Sequence, residues 1–143
     1  MATSTFLSNA KVLIGTSSAS TTDITDQVSS VVVNYQVDAL EKTAMGDTAR
    51  LYTAGLQSNS VTITVYASYA TSESYAVLSP LVGAAAVYVK VNPTSSADSA
   101  TNPGFEITNG FLAALPVINS NIGELATYDI EIQGGNYTVD TSA

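Results

Sequence analysis

The sequence predicts a mainly β fold with one short helix laid over a sheet. Three observations predict it. Charged residues make up only 11% of the chain against the usual ~25%, and Ser and Thr carry the polarity instead. Five segments alternate apolar and polar side chains with a period of two, the mark of half-buried strands. Only one stretch shows helical spacing.

The elements follow in chain order. KVLI at 11–14 is a short apolar strand. A loop is expected over 15–27, where Asp23 and Asp26 in DITD fit a self-capping turn rather than a calcium site, which needs more oxygen ligands. VSSVVVNYQV at 28–37 sets Val31, Val33, Tyr35 and Val37 against Val32, Asn34 and Gln36. VTITVYASY at 61–69 sets Val61, Ile63, Val65, Ala67 and Tyr69 against Thr62, Thr64, Tyr66 and Ser68.

In SESYAVLSPLVG, Leu78, Leu81 and Val82 recur at helical spacing. Ser72 is placed to cap the helix and Gly83 to end it, while Pro80 predicts a bend or stop near Ser79. AVYVKV at 86–91 sets Val87, Val89 and Val91 against Tyr88 and Lys90. FEITNGFL at 105–112 sets Phe105, Ile107 and Phe111 against Glu106 and Thr108. TYDIEIQ at 127–133 sets Tyr128, Ile130 and Ile132 against Asp129, Glu131 and Gln133. Further loops are expected over 38–60, 92–104 (polar and solvated) and 117–124.

The 143 residues fit one domain, 1–143. At that size no disulfide or metal staple is required. The net charge is −8, with Lys11, Lys42, Arg50 and Lys90 the only cations. Tight nucleic-acid binding needs clustered Lys and Arg, so DNA is expected to be repelled. No run approaches the ~18 apolar residues of a membrane span. The start, MATSTFLSNAKVLIG, lacks a basic region before a long apolar one and is not read as a signal peptide.

Catalytic and metal chemistry finds few residue types. The chain has no His and no Cys, which removes a Ser-His-Asp triad, a thiol nucleophile and zinc ligation through either residue. GDTAR is not a phosphate loop. Asp129 and Glu131 share a strand face, as two glycosidase acids could, but a solvated sheet face is the plainer reading. Asn136-Tyr137-Thr138 is a glycosylation triplet that matters only in a glycosylating compartment. Tyr66 and Tyr88 fall on polar strand sides, where they could stack a sugar or fill an interface. No cofactor, metal or enzymatic activity is expected.

The segment 38–59 concentrates charge. Asp38, Glu41, Lys42, Asp47 and Arg50 lie in it, and it also holds Leu40, Met45, Leu51, Tyr52 and Leu56. Such a long connection is uncommon unless it is functional or disordered.

The run VSSVVVNYQVDALEKTAMGDTARLYTAGLQSNSVTITV resembles the major tail tube proteins of long-tailed bacteriophages. The residues that carry the resemblance are Val37, Asp38, Leu40, Glu41, Thr43, Gly46, Asp47, Ala49, Arg50, Tyr52, Gly55, Leu56 and Ser60. NSNIGELATYDIEIQGG is similar to the family's closing strand, through Gly123, Tyr128, Ile130, Ile132 and Gly134. The order of helix then strand in SYAVLSPLVGAAAVYVKV agrees.

The resemblance implies a β-sandwich or partial barrel with one flanking helix, whose strands join those of neighbours in a ring. It implies hexameric rings stacked into a tube in the virion tail, assembled in the host cytoplasm. It also implies tape-measure and tail-terminator proteins as partners, and genomic DNA in transit only, with no membrane. The 38–60 loop would reach the adjacent ring, with Lys42 and Arg50 meeting carboxylates there and Asp38, Glu41, Asp47, Leu51, Tyr52 and Leu56 sharing the contact. Pairing of Arg50 with Glu41 or Asp47 inside the loop is the alternative. Asn34, Gln36, Glu106, Asp129 and Glu131 are the candidate lumen residues. The other reading is a virion-surface or secreted β-sandwich that binds carbohydrate or a receptor, which requires an aromatic-lined pocket.

Overall fold

The computed structural model describes residues 9–142. The expectations for the first eight residues, including the absence of a signal peptide, lie outside the described residues. The chain forms β1 (Lys11–Ser17), β2 (Ser20–Asp23), β3 (Val28–Asn34), β4 (Val37–Glu41), β5 (Tyr52–Gln57), β6 (Ser60–Tyr66), α1 (Ser74–Leu78), β7 (Val87–Asn92), β8 (Gly104–Leu112), β9 (Thr127–Gln133) and β10 (Asn136–Asp140). Eight of the strands make one antiparallel sheet in the order β2-β1-β7-β8-β9-β6-β3, with β10 pairing on β8; among the described residues β4 and β5 pair only with each other.

The sheet folds over on itself without closing into a barrel. β8 makes the fold possible because it serves both halves. Its first part pairs with β7 and β10, and its last two residues, Phe111 and Leu112, pair with Gln133 and Ile132 of β9. The inner faces of the two halves meet in one core. Val12 and Ile14 of β1 and Val87 and Val89 of β7 pack with Val61, Ile63 and Val65 of β6 and Tyr128, Ile130 and Ile132 of β9. Each such side chain contributes about 1.5–3 kcal/mol by leaving water.

The alternation in β6 and β9 appears as expected, with every second residue buried. Two strands depart from it. In β7 the outer face is also covered, and Tyr88 is only 4% exposed. It lies opposite Gly15 of β1 and donates its hydroxyl to Glu106, so it is neither a sugar platform nor a free interface residue. In β8, Asn109 takes a positive φ of 59°. Val87 pairs with Gly110 and Val89 with Ile107, so two steps on β7 face three on β8. This β-bulge turns Gly110 and Leu112 inward and leaves Phe111 47% exposed, reversing its expected side.

The helix breaks where Pro80 demands it. α1 ends at Leu78 and a 3-10 turn, Ser79–Leu81, follows with the proline in its first positions. Leu78 and Leu81 are buried as expected, whereas Val82 is exposed. Ser72 is not the cap: it sits at φ 65°, and Glu73 takes the N-cap position without a side-chain bond. Ser74 anchors the helix instead, donating to Tyr66 O at 2.8 Å and accepting from the Ser68 amide at 2.9 Å.

Three expected loops hold more structure than the sequence suggests. The 15–27 stretch contains β2 and a 3-10 turn, entered through a bond from the Thr25 amide to Asp23 Oδ1 at 2.9 Å. The 92–104 stretch stays irregular but wraps a buried Asn102, which donates to Ser96 O at 2.8 Å and accepts from the Thr94 amide at 3.0 Å. The 38–60 stretch is a β-hairpin, not a loop.

Candidate functional site

All eight residues expected at an inter-ring contact lie on or beside the β4–β5 hairpin. Glu41 pairs with Tyr52 and Leu40 with Thr53 across its strands. The tip is tied by the Lys42 amide to Leu51 O at 2.8 Å and by the Leu51 amide to Thr43 Oγ1 at 2.9 Å. Asp47 caps the terminal turn by accepting the Ala44 amide at 2.7 Å. Asp38 lies on β4 and Leu56 on β5. Arg50 Nη1 lies 3.6 Å from Glu41 Oε2, so the intra-hairpin pair forms. Both side chains stay largely exposed, and such a pair contributes little to stability. Leu40, Met45, Leu51, Tyr52 and Leu56 are all exposed. Leu40 and Tyr52 occupy opposite faces of the ribbon, so neither face is covered by the described residues. A lone two-stranded hairpin is marginal in water.

The root of the hairpin is built around Asn59 and Gln57, which were not among the expected site residues. Asn59 is 3% exposed. Its Oδ1 accepts the Gln36 amide at 3.1 Å, and its Nδ2 donates to Gln57 Oε1 at 2.9 Å and to Gly135 O at 3.0 Å. Gln57 Oε1 also accepts the Tyr137 amide at 3.0 Å. Tyr35 stacks on Tyr137 with ring centroids 4.1 Å apart. These contacts join the hairpin to the crossover from β9 to β10.

The five candidate lumen residues divide between two faces. Asn34, Asp129 and Glu131 lie on the outer face of the β3-β6-β9 half, with Ser30, Thr62 and Thr64 in matching register, and Gln36 borders it. Thr64 donates to Asp129 at 2.8 Å. This is an open, mostly polar face that also exposes Val32 and Tyr66, rather than a cleft between two acids. Glu106 belongs to the other half. It sits opposite Lys90 and Thr138, holding the Tyr88 hydroxyl and accepting from Thr138 at 3.2 Å.

Beside Glu106, Lys90 clamps two distant segments. Its Nζ reaches Asp98 of the 92–104 loop at 2.5 Å and Asp140 of β10 at 3.4 Å. Burial works to lower the Lys90 pKa, but Asp98 and then Asp140 outweigh it and the net shift is upward. Burial, and then Glu106, push the Tyr88 hydroxyl up. Asp140 is held at about 2, below the ordinary 3.8, first by hydrogen bonds from Ser142 and then by Lys90.

The two shifts set the pH response of the β10 anchor. A depressed carboxylate stabilises the fold above its ordinary pKa and loses that contribution as pH falls through its folded value. A raised ammonium does so below its ordinary pKa and fails only in strong alkali. The anchor is therefore constant through neutral pH and loosens in acid. An NMR titration of Asp140 is expected to give a midpoint near 2, and a midpoint of 3.8 would show that neither the Ser142 hydrogen bonds nor the Lys90 contact holds the carboxylate in solution.

Among the described residues no cluster of acidic side chains could hold a metal ion, and no helix is long and apolar enough to cross a membrane. No family model and no curated protein matches the chain. Solved structures do. The tail of an empty gene transfer agent particle, with C6 symmetry, matches at a TM-score of 0.67 and 12% identity, covering 92% of this chain and 96% of that one. The SPP1 tail tube matches at 0.71 and 9%, covering 97% and 80%. The sheath–tube complex of an extracellular contractile injection system matches at 0.65 and 11%, covering 97% and 93%. With identities this low the likeness is one of architecture: the chain has the fold found in these tail and injection-tube assemblies.

Proposed function

We propose that the chain is a structural, non-catalytic subunit that assembles into stacked hexameric rings, forming the wall of a virion tail tube through which genomic DNA passes. The observation that carries this reading is the β4–β5 hairpin, which extends from the body with apolar side chains on both faces and no strand partner among the described residues beyond itself. A neighbouring copy would cover it. The sheet supports the same reading, because β2, β3 and β10 each leave one edge unpaired among the described residues. Such edges invite aggregation unless they are paired, and lateral pairing in a ring would remove them.

The polar face of β3, β6 and β9 suits the lumen wall. Asn34, Gln36, Asp129 and Glu131 would present it to DNA, and the net charge of −8 would keep phosphate from sticking. Glu106 is left out of this wall because it faces the opposite side. Tape-measure and terminator proteins would bind the tube's interior and end. Host cytoplasm would be the site of assembly.

Electron microscopy of the purified protein at rising concentration tests the reading. Hollow rings and tubes are expected. Small, featureless particles at every concentration would overturn it and favour a binding module. With tubes in hand, Asp129→Asn with Glu131→Gln is expected to slow DNA passage and leave tube length unchanged.

A further inference from the structure

We infer that the hairpin of one copy docks on the 117–125 loop of the next copy, head to tail along the tube. The inference rests on the tube reading and adds the receiving surface. The two elements lie at opposite ends of the subunit. The hairpin springs from the end of the sheet where Ser60 pairs with Gln133, and Asn59 and Gly135 hold its root there. The loop is fixed at the other end of β6 and β9, where Tyr66 pairs with Thr127. The Tyr69 hydroxyl donates to Val117 O at 2.5 Å, and the Ala67 amide donates to Ala126 O at 2.8 Å. Seven-residue strands separate the ends by roughly 20 Å at ~3.3 Å per residue.

Both elements expose apolar side chains that no described residue covers. Between its two fixed points the loop exposes Val117, Ile118, Ile122 and Leu125. A turn closed by the Glu124 amide on Asn121 O at 3.2 Å puts Ile122 at the tip. Each carries one charge of opposite sign that is free to pair, Lys42 on the hairpin and Glu124 on the loop. Lys42 has no carboxylate partner among the described residues. Glu124 is the only charged residue of 113–126, and no cation pairs with it among the described residues. Two unlike surfaces at opposite ends of one molecule generate a head-to-tail stack of open length.

The absence of cysteine makes a cross-linking test clean. Met45→Cys and Ile122→Cys replace fully exposed side chains, so neither change threatens folding. The doubly substituted chain, oxidised under assembly conditions and imaged in parallel, is expected to give tubes and a ladder of covalent multimers on a denaturing gel. Equimolar single variants are expected to give a mixed dimer, and each single variant alone none. Tubes without a ladder, or cross-links only between Met45→Cys copies, would overturn the docking site and leave the tube reading standing. No rings or tubes, from parent or variants, would remove both. In a second measurement, Lys42→Glu is expected to raise the concentration needed for tubes about tenfold, the scale of one close interfacial charge pair. Adding Glu124→Lys should restore assembly. Tubes indifferent to both changes would also count against the site.

Discussion

Replacing Asn59 with leucine is expected to lower the stability of the subunit by about 1–3 kcal/mol and to free the hairpin before the sheet opens. The side chain holds the Gln36 amide, the Gln57 side chain and the Gly135 carbonyl at once. Leucine fills similar space and offers none of these bonds. An unpaired buried donor or acceptor costs about 1–3 kcal/mol, and here the Gln36 amide and the Gly135 carbonyl lose their partner at part-buried positions. Gln57 then loses the geometry that lets it accept the Tyr137 amide, so β10 loosens along with the hairpin. Chemical denaturation measures the total, and hydrogen exchange locates it. Protection should fall at the Lys42 and Leu51 amides while β6 and β9 keep theirs. Equal stability with unchanged hairpin protection would show that Asn59 is not the joint.

The second large effect is at Gly135, and Gly134 is its control. Both have positive φ, 87° and 72°. A Cβ at Gly135 would come within 2.4 Å of Thr108 O and 3.0 Å of the Gly110 amide nitrogen, whereas one at Gly134 meets nothing within 4 Å. The left-handed conformation costs alanine about 1–2 kcal/mol at either position. Overpacking against a fixed backbone adds about 1–3 kcal/mol at Gly135 alone. Gly135→Ala is therefore expected to cost about 2–5 kcal/mol and Gly134→Ala about 1–2. Similar losses at both positions would mean that β8 moves aside easily.

What could be read from the residues depended on burial. β6 and β9 were legible because one face of each is in the core, and alternation records that difference. The hairpin was not, because alternation is written only into a strand with one face buried. Every residue of β4 except Val37 is exposed, and so is every residue of β5 except Gly55. The charges of 38–59 still marked the segment, and all eight expected contact residues fall on or beside the hairpin. Tyr88 and Lys90 read as outward because their tips are polar, yet Glu106, Asp98 and Asp140 come from distant segments to cover them. Phe111 read as inward because the period was counted across Asn109-Gly110, an Asn-Gly pair that signals irregular backbone. Asn59 left no mark: one asparagine before a strand looks like any turn residue, and its partners lie 23 and 76 positions away. The 117–124 segment was expected only as a loop, and nothing in that reading singled out its exposed Val117, Ile118 and Ile122 or the neighbouring Leu125.

One shared strand has a mechanical consequence. Because β8 runs through both halves of the body, the halves cannot slide past one another without rupturing backbone pairing on a continuous covalent thread. Elastic give must then reside in the slender ribbon and the apolar turn at the two poles. A filament of such units would flex at its seams, like a column of rigid beads, and each bead would carry load without deforming.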